Sequence, residues 1–512
     1  MSEGVSRPLA RSRMCLAGGA LTCALITGML SACAVGPNYH RPAAIVSPSF
    51  KENRGWVPAT PAQIPASQQW WAIYHDPVLD SLEIQVEVSN QNLKAAEAAY
   101  RNAAQVVAAA RGQLLPDINL GLTGNHTGEA PGATSIQQTS AVGHTTAVPY
   151  VKFTTVSLEA QGSWALDIWG KVRRQIESDV DLAQVSAAEV AGARLSAQVT
   201  LAEDYFQMRA SERAIRIYDT YIADLENALQ IVQNEVRAGT DTLADVYAAQ
   251  AQLESTQVAA INEQQTRATF EHAIAVLIGQ PPADLSIPNG PLTTTVPVVP
   301  AGLPSELLER RPDIAEAERA MASDNALRGV ATAAWFPSLT MTGDFGYNHN
   351  ALSRLVSSDN SLWSFGPQLA ETVFNGGARL AQSREARAQY DEAVADYRQT
   401  VLSAFQSVEN DLVTLRVLQQ SDALDITAVN TALLSEQLYT NQFKAGIVSY
   451  ASVLTEQTTR LAAEVTLLAI QSQQLVASVD LISQLGGGWS ASELDQRNDG
   501  VPADGLKKTA DD

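Results

Sequence analysis

The chain consists of two related halves. The segment 235–253 contains an Ala-Gly pair ending at Gly239, and the segment 442–460 contains a second pair ending at Gly446, 207 residues later. Two further pairs keep nearly the same offset: Leu277-Ile278-Gly279 with Gln484-Leu485-Gly486, and Asp167–Gly170 with Val373–Gly376. A third pair, Leu115-Pro116-Asp117 with Phe336-Pro337-Ser338, lies 221 residues apart. A repeat this long indicates a duplicated domain half rather than a short-period solenoid. Each half has the pattern helix, two strands, long helix, helix.

The first 32 residues have the features of a bacterial lipoprotein signal. A basic start with Arg7, Arg11 and Arg13 precedes an apolar segment at 14–29, and Leu-Ser-Ala-Cys ending at Cys33 follows. We therefore expect cleavage before Cys33 and a covalent lipid on its thiol. Alanine at the next position, rather than aspartate, favours the outer membrane. An ordinary signal peptide with a chance cysteine is the alternative interpretation.

Composition narrows the function classes. Two of the three cysteines, Cys15 and Cys23, lie in the signal, so the mature chain retains only Cys33 and can form no internal disulfide. The formal net charge of −21 argues against nucleic-acid binding, which needs basic patches. After the signal there is no run of about 18 consecutive apolar residues. A membrane-crossing part would therefore have to be a closed β-barrel.

Two segments are typical of very long helices. Residues 171–237 contain no proline and one glycine, Gly192, and residues 378–445 contain neither. At about 1.5 Å per residue, each helix would reach about 100 Å. Heptad spacing supports coiled-coil packing, and a return helix after Gly239 and Gly446 makes two hairpins. Shorter helices are expected over 77–113 and 312–335. A coiled-coil rod would explain the helices alone.

Four segments alternate apolar and polar residues with period two, which indicates half-buried strands. Their apolar members are Ile118, Leu120, Leu122, Val156, Leu158, Ala160, Trp164, Leu166, Leu339, Met341, Phe345, Tyr347, Trp363, Phe365 and Leu369. Aromatic residues near the strand ends are typical of a membrane barrel, although a soluble β-sandwich alternates in the same way. Four strands cannot close a barrel, since about eight is the minimum. The chain must therefore oligomerise, and three copies would give twelve strands.

The segment Cys33–Pro42, the duplication, the prolines before two strands and the two Ala-Gly pairs together resemble the TolC-like outer membrane efflux channels, in particular the lipidated OprM/NodT-type branch. The resemblance covers roughly residues 33–487. It implies an α+β membrane protein whose duplicated half carries long α-helical coiled-coil hairpins. Four β-strands per chain would enter a trimeric 12-stranded outer-membrane β-barrel, continued by a periplasmic α-barrel. The implied partners are two further copies, a periplasmic adaptor (membrane fusion) protein, an inner-membrane RND-type pump and outer-membrane lipid.

The resemblance also implies roles for the hairpin turns. The adaptor contact would fall on the two tips, Ala238, Gly239, Thr240, Ala445, Gly446 and Ile447. A periplasmic gate would use Asp241, Asp245, Phe443 and Ser452. Asp245 matches an acidic gate position, but Ser452 stands at the equivalent place in the second half. An acidic ring would therefore come from the first hairpin only. The tip residues could also be simple turn residues.

These observations lead to a division of the chain. We expect a signal peptide at 1–32, a lipid-anchored extended segment at 33–75, a first repeat at 76–280, a proline-rich linker at 281–304, a second repeat at 305–487 and a polar, disordered tail at 488–512.

The leading functional hypothesis is a passive outer-membrane exit duct for drugs and small amphiphiles, driven by an inner-membrane pump. An exit duct for type I protein secretion has the same fold, and a lipid-tethered periplasmic scaffold is a third possibility. An enzyme is not expected. The six histidines lack metal-ligand spacing, and there is no P-loop and no Gly-x-Ser-x-Gly elbow. No cofactor is expected beyond the lipid on Cys33.

Overall fold

A computed structural model provides the coordinates. The residues it describes are 34–44, 47, 49–52, 69–128, 152–293, 296–297 and 309–494. The predicted signal peptide, Cys33, part of the predicted anchored segment, all residues between the first two strands, part of the linker and the end of the tail lie outside these residues.

The described elements repeat in the expected order. The first set is α1 Pro77–Ser89, α2 Gln91–Gly112, β1 Asp117–Gly128, β2 Lys152–Leu166, α3 Lys171–Ala238 and α4 Leu243–Leu277. The second set is α5 Pro312–Ala333, β3 Ser338–His349, β4 Ser361–Ala370, α6 Ala378–Lys444 and α7 Tyr450–Gln484. The long helices have 68 and 67 residues, and each return helix has 35. The predicted repeat of two strands and a long helical hairpin is confirmed.

One helix expected over 77–113 is two helices. Asn90 separates α1 from α2 with extended backbone angles, φ −60° and ψ 124°. Its side-chain amide donates to the Leu277 carbonyl at 2.8 Å, and its side-chain oxygen accepts from the Leu93 amide at 2.9 Å. Asn90 thus caps the second helix and ties the break to the end of α4. The single-helix prediction was wrong because this contact lies far away in the sequence.

Glycines in the left-handed region end the long helices. Gly239 has φ 77°, and its amide and that of Thr240 donate to the carbonyls of Val236 and Glu235. The second hairpin repeats this arrangement at Gly446, where φ is 72°. These paired bonds define a Schellman motif, which satisfies carbonyls at the end of a helix. The Ala-Gly repeat seen in the sequence is therefore a repeated helix stop.

The strands form one antiparallel sheet in the order β1-β2-β3-β4. It lies in the first of two compact units, which comprises residues 1–40, 104–181 and 321–392. The apolar residues of β1 and β4 are exposed, among them Leu120, Trp363 and Phe365. Trp169 stacks on Phe336 at one end of the sheet with ring centroids 4.7 Å apart. The four predicted strands are confirmed.

The second unit comprises residues 41–103, 182–320 and 393–512, and its described part contains the main helical core. Trp71, Tyr205, Phe206, Leu412 and Leu475 are fully buried there and come from both halves of the chain. Intertwining of the two halves follows, because neither half supplies this core alone.

Within the described residues, one helix, α7, is long and apolar enough to cross a membrane by length and composition. Its most apolar window has a mean hydropathy of 1.3, although no uninterrupted apolar run occurs. In the structure 44% of that window is buried, and Leu475, Val479 and Ile482 pack into the helical core. A core role accounts for this hydropathy.

A buried ion network holds the first part of the linker. Arg209 pairs with Glu212 at 2.8 Å and donates to the Pro288 carbonyl at 2.8 Å. Glu212 also accepts from Arg267 at 3.2 Å and from the Gly290 amide at 3.0 Å. The side chains of Arg209 and Glu212 are almost completely buried, so each charge depends on the other. The linker segment 285–293 is therefore a packed part of the second unit.

Three carboxyl groups lie close together in the second unit: those of Glu203 in α3, Asp411 in α6 and Asp480 in α7. Burial, together with a hydrogen bond to Asp480 and its charge, raises the pKa of Glu203 to about 8. Burial and the charge of Asp480 raise the pKa of Asp411 to about 7, and Arg311 opposes this shift. Burial raises the pKa of Asp204, beside Glu203, to about 6. Glu203 and Asp411 therefore hold protons near neutral pH.

We expect the thermal midpoint of the detergent-solubilised protein to fall as the pH rises from about 5 to about 8. Over this range the folded chain retains a proton on Glu203, whereas an unfolded carboxyl with pKa 4.5 has released it, so stability declines with pH. Glu203→Gln removes this titration and should flatten the curve. Glu226→Gln, at an exposed position on the same helix, is the control and should leave the slope unchanged. An equal slope in Glu203→Gln and the wild type would contradict the assignment.

Candidate functional site

The six predicted tip residues lie at the two hairpin turns and are all exposed: Ala238, Gly239, Thr240, Ala445, Gly446 and Ile447. A Cβ atom added at Gly239 or Gly446 would meet nothing within 4 Å. The requirement for glycine at both positions therefore comes from the positive φ of the turn and not from crowding. The surface around each turn is free within the chain.

The two hairpins pack against each other just behind the turns. Val232 of α3 and Ala249 of α4 share an apolar cluster with Tyr450 and Val453 of α7. Phe443, predicted as a gate residue, contributes to this cluster and meets Tyr450 edge to face with centroids 5.6 Å apart. The structure therefore gives Phe443 a packing contact inside the second hairpin. The other gate position in that hairpin, Ser452, is half-buried in the first turn of α7.

The two predicted acidic gate residues form one local pair. Asp245 accepts a hydrogen bond from the Thr242 hydroxyl, and Asp241 accepts from the Thr242 amide at 2.8 Å. The Thr242 hydroxyl bond lowers the pKa of Asp245, whereas desolvation raises that of Asp241, with the neighbouring carboxyl adding to the effect. Thr242 thus holds both carboxyl groups at the start of α4, where they concentrate negative charge at the first tip. The second tip has no aspartate at the equivalent position.

A polar contact that sequence reasoning missed joins the two hairpins. The Arg460 guanidinium of α7 donates to the Tyr221 hydroxyl of α3 at 2.7 Å and lies 4.8 Å from the centroid of that ring. The same guanidinium pairs with Glu436 of α6 at 3.0 Å and with Glu464 at 3.2 Å. Three helices therefore meet at one partly buried cation. No local pattern reveals this contact, because Tyr221 and Glu436 lie on helices other than that of Arg460.

Among the residues with described coordinates, no group of three or more His, Cys, Asp or Glu side chains is placed to hold a metal ion.

We expect Tyr221 and Arg460 to be energetically coupled. In a double-mutant cycle with Tyr221→Phe and Arg460→Met, the loss in unfolding free energy for the pair should be smaller than the sum of the single losses by about 1–2 kcal/mol. The reason is that each single change already breaks the shared contact. Denaturant titration of the solubilised protein measures the unfolding free energy of each variant. Tyr218→Phe is the control, and additivity is expected when it is combined with Arg460→Met.

The comparisons agree with this architecture. The family model described as outer membrane efflux protein matches residues 84–280 and 303–487. The chain is 28% identical over 474 residues to the probable efflux pump outer membrane protein TtgC of Pseudomonas putida, covering 92% of this chain and 95% of that protein. It is 30% identical to the pyoverdine export outer membrane protein OpmQ of Pseudomonas aeruginosa, covering 83% and 88%.

Among solved structures, the outer-membrane channel OprN superimposes with a TM-score of 0.81 at 27% identity, covering 89% of this chain and all of that one. The family model covers both halves of the duplication. The chain therefore belongs to the outer membrane efflux protein family, the TolC-like channels of the bacterial outer membrane.

Proposed function

We propose that this outer-membrane efflux channel works as a homotrimer and forms a passive exit duct for drugs and other small amphiphiles. An inner-membrane RND-type pump would drive export through a periplasmic adaptor, and the channel itself would perform no catalysis. The observation that carries the proposal is the sheet, which exposes apolar side chains on outer strands that have only one neighbour each. Relatives named for efflux and for pyoverdine export support small-molecule substrates.

The sheet's two edges support assembly of several copies. In the described chain, β1 pairs only with β2, and β4 pairs only with β3. Unpaired strand edges cannot face lipid, because each free backbone group there costs several kcal/mol. Pairing of β4 in one copy with β1 in the next would satisfy both edges. Three copies would give a 12-stranded barrel and six hairpins.

The tips have the surface expected of an adaptor-binding site. Leu243, just past the first turn, is 61% exposed, and Ile447 at the second turn is 72% exposed. Large apolar side chains so exposed beside free turns are suited to bind a partner. We therefore assign the adaptor contact to Ala238, Gly239, Thr240, Ala445, Gly446 and Ile447, extended by Leu243.

The gate assignment rests on charge. In a trimer, Asp241 and Asp245 would place three acidic pairs at the periplasmic end, whereas Ser452 and Phe443 would contribute polar and apolar surface. A ring of carboxylates attracts cations and repels anions. The Arg460 contact, which holds the second hairpin to the first, would oppose movement of the tips.

The remaining parts of the division are proposed on the same basis. A lipid on Cys33 would anchor the segment 33–75, the repeats would occupy 76–280 and 305–487, and 281–304 would connect them. A periplasmic scaffold without a sheet is inconsistent with the four strands and with the family. Protein secretion by the same duct is the alternative function that the export test below distinguishes.

We expect deletion of the gene to raise intracellular accumulation of a fluorescent efflux substrate, and we expect the wild-type chain to reverse this. Leu243→Glu combined with Ile447→Glu should fail to reverse it, because charge at the tips weakens adaptor binding, while trimer levels stay normal. Val276→Glu, at a comparably exposed apolar position at the far end of α4, is the control. If accumulation is unchanged by deletion while the pump is expressed, small-molecule efflux is wrong; loss of an exported protein instead would support secretion.

We expect Asp241→Asn with Asp245→Asn to lower the cation preference of the channel in planar bilayers. The reversal potential in a salt gradient should move toward zero, because the charge at the entrance is removed. Asp219→Asn, at an exposed position on α3, controls for the general loss of negative charge. An unchanged reversal potential in the double variant would rule out an acidic ring from these residues.

A further inference from the structure

The segment directly after Cys33 lies in a fitted site that the efflux function does not explain. Ala34 to Asn38 contacts the junction between β2 and α3 and one face of α5, all within the sheet-bearing unit. We call Ala34–Asn38 the arm. Its receiving residues, Trp169, Gly170, Arg174, Asn325 and Gly329, are called the cradle.

Glycines at the contact between arm and cradle allow their backbones to approach closely. A Cβ atom at Gly36 would lie 2.5 Å from the Gly329 Cα atom, and Gly36 has φ 103°. A Cβ atom at Gly329 would lie 2.8 Å from Cδ of Arg174. A third close approach occurs at Gly170, where a Cβ atom would be 2.6 Å from the Ala34 Cα atom. A side chain larger than hydrogen at Gly36 or Gly170 would therefore displace the arm, and one at Gly329 would displace Arg174.

Directed hydrogen bonds fix the arm along its length. The Arg174 guanidinium donates to the Asn38 side-chain oxygen at 2.7 Å and to the carbonyls of Val35 and Gly36 at 3.4 and 3.5 Å. The Val35 amide donates to the Trp169 carbonyl at 3.0 Å. Asn325 donates to the Pro37 carbonyl at 3.1 Å. Arg174 is 5% exposed, so its charge depends on these acceptors and on Glu177 at 2.6 Å.

The cradle draws on both halves of the duplication. Trp169, Gly170 and Arg174 belong to the first half, and Asn325 and Gly329 lie in α5 of the second. Trp169 also stacks on Phe336 and donates to the Pro337 carbonyl at 2.8 Å, which joins the halves directly. The arm therefore completes a three-part contact at the end of the sheet where these aromatic residues lie.

We propose that binding of the arm to the cradle holds the two halves of the chain together. We further propose that it fixes the lipid attachment point near the Trp169–Phe336 pair. The second part rests on the proposed lipidation of Cys33, which is bonded to Ala34. A lipid on a flexible tether anchors the chain but leaves the sheet free to move relative to the membrane. A docked arm applies the membrane affinity of the acyl chains to the end of the sheet itself. Docking thereby favours insertion of the sheet in its correct orientation.

Gly36→Ala tests the proposal, because the added Cβ displaces the arm and leaves every cradle residue unchanged. The control is Gly377→Ala: Gly377 has a similar φ of 89°, but its Cβ would meet nothing within 4 Å. Hydrogen exchange of the full-length purified protein, read on peptides covering 34–40, should be at least about tenfold faster in Gly36→Ala and unchanged in Gly377→Ala. Arg174→Lys, which loses the planar fork, should accelerate exchange in the same peptides.

Palmitate labelling and recovery of trimers in outer-membrane fractions complete the test. We expect equal labelling of wild type and Gly36→Ala, with fewer trimers recovered for Gly36→Ala only. Rapid exchange at 34–40 in the wild type, or no acceleration in Gly36→Ala, would overturn docking. Normal trimer recovery despite a released arm would overturn its role in insertion. Absence of label in the wild type would reject lipidation of Cys33. The hydrogen-exchange result alone would then decide whether the arm is docked.

Discussion

Unpaired backbone groups at the two edges of the sheet are the constraint on which this structure depends. β1 and β4 each have one strand neighbour in the described chain, and their exposed apolar side chains suit lipid better than water. In a bilayer such edges must be closed by other strands. A duplicated half with two strands cannot do this, nor can a single chain with four. Assembly is therefore required by hydrogen bonding as well as favoured by apolar burial.

Much of this architecture could be predicted from sequence because its signals are local and repeated. Period-two alternation predicted the strands, and the absence of glycine and proline predicted the long helices. The Ala-Gly pairs predicted both turns, since a left-handed residue ends the helix in each. The break at Asn90, the network around Glu212 and the arm's cradle could not be predicted. Each of these depends on a contact between residues far apart in the sequence, and each uses residue types that are ordinary on a helix.

The candidate site likewise has features that the sequence predicts and contacts that it does not. The positions of the tips followed from the repeat, but the partners of the residues near them did not. Phe443 packs on Tyr450, and Asp245 accepts a hydrogen bond from the Thr242 hydroxyl. The cation at Arg460 has no counterpart in the first half, because Leu253 occupies the position 207 residues earlier. The two hairpins are thus alike in backbone and different in polar contacts. An assembly of six similar hairpins would therefore contain two kinds of hairpin, which alternate in their polar contacts.

The cradle also constrains the order in which the chain can fold. The arm precedes Asn325 and Gly329, which it contacts, by almost three hundred residues in the chain. Contacts of such high sequence separation form late, since a long loop must close first. Until then Arg174 lacks the acceptors that the arm supplies. The arm is therefore among the last segments to reach its final place, and its docking marks the joining of both halves.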